Sequence, residues 1–372
     1  MDAEIEDRMQ EYYKIGLAMV EGVGIQVTRK LVGTCGNPEA VFKEKSSNLS
    51  KIPGISSKVI SQIHNKELHR KIEMELKFIS ANKISILFFT DDDFPFRLKQ
   101  CIDCPVLLYN KGRTEYNSEK VISIVGTRKP SKYGIHFCEK LIGELANFEI
   151  LIVSGLAYGI DGLVHRTCIN YDIRTAGVLG HGLNIAYPHQ HKSLYRSMAE
   201  KESLLSEFSS QHKFYKQNFV RRNRIVAGMC DAVVVIESGI KGGSLITASL
   251  ANSYHRDVFA LPGRYSDVKS AGCNALIKNN KAGMIESAYD LIHALMWKEN
   301  EDIARYRQKE LMLTLSEDET KIMDYLNTHD EVLIEKLANS SKIPLQKLSS
   351  LLLSLELRGL IAAIPGNKYK LI

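Results

Sequence analysis

Between residues 121 and 260 the chain alternates two hydrophobic patterns. Short continuous apolar runs, rich in valine and isoleucine, fall at residues 121–125, 150–153, 175–179, 204–207, 232–236 and 258–260. Such runs suit strands whose two faces are both covered by helices. Between them, apolar residues at three- and four-residue spacing predict helices over 134–147, 160–170, 190–200, 219–228 and 244–254. Strand, turn and helix in repetition predict a doubly wound, Rossmann-like, mostly parallel α/β sheet over residues 86–295. Two further short strands, at 86–89 and 106–112, read as the approach to that sheet.

The flanking patterns are helical. In residues 1–85 two stretches stand out, MVEGVGIQVTRKLV and LSKIPGISSKVISQI. Each has a tight glycine-containing turn followed by an amphipathic helix, and together they resemble a pair of helix-hairpin-helix motifs in a SAM-like domain. The turn amides of such a motif can hold a DNA phosphate; the alternative is a purely structural helical domain. The first turn carries Gly22 and Gly24, whereas the second carries Gly54 but Ser56 at the second glycine position. At the other end, the charged residues 296–312 predict a linker. Residues 313–372 predict three amphipathic helices, the first opened by a Ser316/Glu319 capping box, then a hairpin turning at Pro365-Gly366-Asn367. That order predicts a winged helix. Its third helix has Lys347 and Arg358 but is otherwise apolar or serine, which favours protein contact over duplex reading.

Composition narrows the class without deciding it. The 372 residues are 44% hydrophobic and 25% charged, with a net charge of +6, as in a globular, mildly basic protein compatible with nucleic acid. No apolar run is long enough to cross a bilayer, and the acidic start lacks the features of a signal peptide, so a cytoplasmic protein without membrane contact is expected. The seven cysteines have no framework spacing, and the lone Cys101/Cys104 pair has no second pair beside it, so neither disulfides nor a metal site are expected. Neither GxGxxG nor GxxxxGK[ST] occurs, and no cofactor is implied.

The candidate chemistry lies at the carboxyl ends of the predicted strands, where ligands of such sheets bind. Gly126, Thr127 and Arg128 follow the first strand. Ser154 and Gly155, then Tyr158 to Asp161, follow the second, and Gly180, His181 and Gly182 the third. Lys241, Gly242, Gly243, Ser244 and Thr247 follow the fifth. Small residues, hydroxyls and fixed cations on one rim suit a phosphodiester. Phe219, Arg221, Arg222 and Arg224 cluster at a helix start and read as a base-stacking and phosphate-holding unit. Arg221 and Arg224 share one helix face while Arg222 points elsewhere. The alternative packs Phe219 inward and ties one arginine to Asp231 or Glu237. Asn274 either reaches the same rim or caps its helix.

These segments together resemble the DprA/Smf family of DNA-processing proteins. The carrying motifs are SIVGTRKPSKYG, VSGLAYGIDGLVHR, TAGVLGHGLNIAYPHQHKSLY, LLSEF, FVRRNRIVAGMCDAVVVIESGIKGGSLITA, ALPG and GCNALIKNNKA, in that order. The resemblance implies a single-stranded DNA-binding protein of natural transformation and recombination. Such a protein is not an enzyme, protects incoming single strands, loads the RecA recombinase and dimerises through the Rossmann-like domain. It also implies a basic phosphate pocket made by Arg128, Ser154, Gly155, the helix arginines and Lys241. One departure is Gly242, where the family often has a serine.

Two other readings compete. An enzyme of the related phosphoribohydrolase superfamily would carry a catalytic glutamate near Ser249, and none is there. Glu207 and Glu237 sit at strand ends and read as structural. The third reading is a structural oligomer with vestigial binding.

Overall fold

The computed structural model describes residues 2–297, 315–329, 331–358 and 360–371. The expected linker, 296–312, lies outside them apart from Met296 and Trp297. The chain divides into two compact units, Met1–Trp297 and Lys298–Ile372.

In the first unit six helices come first among the described residues: α1 (Asp2–Met19), α2 (Ile25–Cys35), α3 (Pro38–Lys43), α4 (Ser46–Leu49), α5 (Ser57–Ile63) and α6 (Lys66–Ala81). The paired hairpins are present. Gly22 and Gly54 make the two turns with φ of +83° and +85°, the left-handed region that glycine enters freely. Gly24 and Ser56 hold equivalent N-cap stations of α2 and α5, both with extended backbone. Serine therefore fits there, and its hydroxyl accepts from the Val59 N–H.

The sheet has nine strands among the described residues: β1 (Ser85–Phe88), β2 (Leu107–Gly112), β3 (Lys120–Gly126), β4 (Ile150–Ser154), β5 (Thr175–Leu179), β6 (Ser203–Ser206), β7 (Ala232–Ile236), β8 (Asp257–Ala260) and β9 (Gly283–Met284). Their order is β1-β2-β6-β5-β4-β3-β7-β8-β9. From β6 to β9 every pair is parallel. The first two strands do more than approach the sheet: they extend it as antiparallel members, with β2 pairing β6. Their connection, residues 89–106, holds only the short helix α7 (Phe96–Lys99) and turns the chain back rather than crossing over.

The crossover helices are α8 (Lys132–Leu145), α9 (Ile160–Asn170), α10 (Lys192–Lys201), α11 (Gln217–Gly228) and α12 (Gly243–Ser253), followed by α13 (Ala271–Lys278) and α14 (Ala288–Ala294). The central strands are buried along their length, as continuous apolar runs require. Chain direction reverses around β3: β4, β5 and β6 run to one side, and β7, β8 and β9 to the other. That reversal opens a crevice beyond the carboxyl ends of β3 and its neighbours. One continuous core joins Ile15, Leu31 and Ile72 of the helices to Leu108, Val153 and Val235 of the sheet, so no break in packing falls at residue 85.

The second unit is a winged helix. Helices Glu317–Asn327, Ile334–Ser341 and Leu345–Leu357 pack around Ile322, Leu337, Leu348, Leu352 and Leu355. Strands Ile361–Ile364 and Lys368–Leu371 form the wing, and Gly366 and Asn367 turn it with positive φ. The capping box forms: the Ser316 hydroxyl accepts from the Glu319 N–H, and the Glu319 carboxylate accepts from the Ser316 N–H. Lys347 pairs with Asp318 at 2.6 Å and Arg358 with Glu319 at 3.0 Å, so neither cation of the third helix is a bare charge. Among the described residues no helix is long and apolar enough to cross a membrane.

Candidate nucleic-acid interface

A cleft of about 460 Å³ occupies the topological switch point. Its walls are Gly126 to Arg128 at the end of β3, Ala157, Tyr158 and Asp161 around the start of α9, Phe219, Val220, Arg222 and Asn223 on α11, and Ser238, Gly239, Gly242 to Ser244, Ile246 and Thr247 leading into α12. The approach is close. A Cβ on Gly126 would lie 2.0 Å from the Ile236 carbonyl and 2.6 Å from Ile160, so only glycine lets β3 turn there.

Helix α12 points its start into this cleft. Its N-cap, Gly242, has no side chain to cap with, and the Gly243 and Ser244 N–H groups have no acceptor among the described residues. Unpaired N–H groups at a helix start form an anion site. The missing serine at position 242 also has a cause. A Cβ there would stand 2.1 Å from the Ser238 hydroxyl, which occupies that space and accepts from the Ser244 hydroxyl at 2.8 Å.

The cations divide by role. Arg128 is exposed on the rim and has no ion-pair partner among the described residues. Arg222 is 5% exposed, donates to the Val178 carbonyl and lies beside Asp161, itself 8% exposed. Burial raises the Asp161 carboxyl above its usual range, opposed by Arg222, by the N–H groups of Ala157 and Gly126, and by Arg128. A rim of donors without acid is therefore not what forms. One carboxylate sits in the wall, engages two turn amides and offsets part of the charge of Arg222 and Arg128, so the cleft keeps a net positive charge. The sequence places Asp161 in this turn, but the approach of Arg222 to it depends on α11 reaching back across the sheet.

Several residues expected on the rim lie elsewhere. Ser154 is fully buried, and its hydroxyl donates to the Ile124 carbonyl at 2.6 Å. Gly155 lies behind the cleft: a Cβ there would come within 2.4 Å of both the Arg222 guanidinium and the Asp161 carboxylate, so glycine makes room for that pair. Arg221 and Arg224 do share a face, as expected, but it is the opposite one. Both hold Glu207, Arg221 at 2.9 Å, and Arg224 also donates to the Asp103 carbonyl. Lys241 is exposed on the loop beside the cleft without lining it. The Asn274 side chain closes two hydrogen bonds with the Gly263 backbone, at 3.1 and 2.9 Å, and so pins the loop after β8.

The acids expected to be tied by a helix arginine have other partners. Asp231 is held by Arg97 at 2.6 and 2.9 Å, and Glu237 accepts from the Ser131 N–H at 2.8 Å and from the Ser131 hydroxyl. Glu207 and Glu237 are thus structural, as read. Phe219 lines the cleft and rests on Gly180, with His181, Tyr187 and Phe214 around it.

Two further features were not legible. Glu75 of α6, 1% exposed, accepts from the Ser210 N–H at 2.8 Å and the Ser210 hydroxyl at 2.6 Å, anchoring the 209–216 loop from the helical segment. The first hairpin turn is exposed but packs beside the second hairpin and the sheet domain. Gln62 takes the Glu21 N–H at 2.8 Å, and the start of α2 lines a second hollow with Asp103, Glu207, Arg221 and Arg224. Cys101 and Cys104 are buried thiols, and burial pushes Cys104 up to about 12. No cluster able to hold a metal occurs among the described residues.

Comparison with known proteins agrees with this architecture. Residues 85–296 match the family model for DNA recombination-mediator protein A, and residues 310–367 match that for the DprA winged helix domain. The chain is 33% identical to Protein Smf of Synechocystis over 77% of its own length and 73% of that protein. The crystal structure of DNA processing protein A from Streptococcus pneumoniae superimposes with a TM-score of 0.66 and 32% identity, covering 76% of this chain and 97% of that one. DNA processing protein A from Helicobacter pylori, described for its single-stranded DNA binding mode, does so with 0.52 and 29%, covering 58% and 97%.

Proposed function

The chain belongs to the DprA/Smf family of DNA-processing proteins, and on that premise we propose that it grips single-stranded DNA by the backbone in the switch-point cleft. The observation that carries this reading is Arg128, an exposed guanidinium without an ion pair among the described residues, in one cleft with a helix start whose first N–H groups have no acceptor among those residues. A phosphate meets both with charge-assisted hydrogen bonds. Thr127 and Ser244 add hydroxyls to the wall, and Phe219 adds a ring face for a base. Arg222 holds the wall in place rather than the ligand. The Helicobacter pylori relative's single-stranded DNA binding supports the choice of ligand.

Protection of the strand, its delivery to a RecA recombinase, and association of two copies through the sheet domain complete the proposal. The protein catalyses nothing in this account. The competing enzymatic reading has one observation in its favour, the buried Asp161 in the cleft. That carboxylate is already engaged by Arg222 and two amides, and the α12 segment expected to carry a glutamate has exposed Ser249 instead. The test is a competition between an unpaired oligomer and its duplex for the protein. Tighter binding of the unpaired form, with faster assembly of RecA on the bound strand, is expected. Equal or tighter duplex binding contradicts the cleft as the site.

A further inference from the structure

Beside the cleft lies a group of rings that no part of the phosphate grip uses. Tyr187 and Phe214 have centroids 5.1 Å apart, and Phe219 lies 5.5 Å from each. His181, 2% exposed, forms the floor, stacked on Phe214 at 5.8 Å. Tyr187 and Phe214 are each 41% exposed. Single exposed aromatics are ordinary, but rings clustered in one patch beside a binding cleft mark an interaction surface.

We propose that Tyr187 and Phe214 are a second base-stacking station, which receives the unpaired bases next along the strand whose phosphates occupy the cleft. This inference rests on the reading of the cleft given above. Three observations favour bases over a protein partner. Phe219 belongs to both the cleft wall and the ring group, so the two surfaces are continuous. Lys213 and Lys216 flank the rings and are exposed, placing charge where the next phosphates would run. The exposed apolar residues here are aromatic, and aromatic rings stack on a base of any sequence. The loop that carries Phe214 is anchored by Glu75 through Ser210, so the station is built before the strand arrives. A paired base offers no free face to such a platform, and the station therefore selects single strands.

The test compares an oligo-dT with an abasic oligomer of the same length, which keeps the phosphates and lacks the bases. The wild-type protein is expected to bind oligo-dT about 5-fold or more tighter, as one stacked base contributes. In the double variant Tyr187→Leu, Phe214→Leu the ratio of the two affinities should fall toward the value left by Phe219 alone, whereas Phe214→Trp should keep it. Leucine keeps the floor covered, and a urea midpoint close to wild type verifies the fold. Cross-linking of a thiothymine-bearing oligomer should put adducts on Tyr187 or Phe214. An unchanged ratio in the double variant, or adducts confined elsewhere, overturns the station while leaving the cleft intact. Failure of the wild type to bind either oligomer overturns the cleft itself.

Discussion

Arg128 and Arg222 stand in one cleft and should fail in different ways. Arg222 is buried against Asp161 and the Val178 carbonyl. Its truncation to alanine leaves a buried carboxylate without its guanidinium, which costs about 3–5 kcal/mol of folding stability. With a denaturant dependence of about 1–3 kcal/mol per molar, the urea midpoint should fall by about 1–5 M. Arg128 is exposed and has no ion pair among the described residues, so Arg128→Ala should change stability by no more than about 0.5 kcal/mol. It should instead weaken oligo-dT binding by about 1–3 kcal/mol, a factor of about 5 to 150. Urea unfolding and fluorescence anisotropy, run on both variants, read the two effects separately. Asp161→Asn in the Arg222→Ala background should recover part of the lost stability, because the uncompensated charge is gone. Arg222→Ala unfolding at the wild-type midpoint would refute the pairing. Unchanged binding by Arg128→Ala would refute the division of labour.

Two further outcomes follow from buried groups outside the cleft. His165 is fully buried with Nδ1 2.8 Å from the Thr175 hydroxyl, and burial, aided by Arg222 and His191, lowers its pKa to about 3. A depressed folded value means the unfolded chain binds the extra proton first, so its stability contribution is present above the ordinary histidine value of 6.5 and is lost as pH falls toward 3. The loss from this group between pH 7 and pH 5 is about 2 kcal/mol. Urea unfolding at the two pH values should show it in wild type and not in His165→Asn, and equal losses in both would contradict it. Glu75→Ala releases Ser210 and should expose the 209–216 loop to trypsin at Lys213 and Lys216, with weaker oligo-dT binding. Digestion at the wild-type rate would show that the anchor does not hold the loop.

The strands and crossover helices were legible because a sheet covered on both faces writes continuous apolar runs, and helices between them write a different period. Residues 175–179 and 232–236 match their strands residue for residue. The opposite faces of Arg221 and Arg222 followed from helix geometry, but which face met the cleft did not. Ser154 looked like a rim residue because it ends a strand, yet it is buried and its hydroxyl is spent on the Ile124 carbonyl of the neighbouring strand. The partners of Asp161, Asp231 and Glu75 come from distant parts of the chain, and neither spacing nor periodicity encodes such pairings. The ring group was missed for the same reason: Tyr187 follows β5, while Phe214 and Phe219 lie at the entry to and start of α11.

The central claim is that an unpaired cation and an uncapped helix start hold a polynucleotide backbone. Its most direct test is the affinity of the wild-type protein for a labelled oligo-dT across a series of salt concentrations. The account predicts that the logarithm of the binding constant falls linearly with the logarithm of salt, by about 0.7 for each phosphate neutralised, and that Arg128→Ala reduces the slope by about one phosphate. Binding that ignores salt, or a protein that leaves oligo-dT free and turns over a mononucleotide instead, would contradict it.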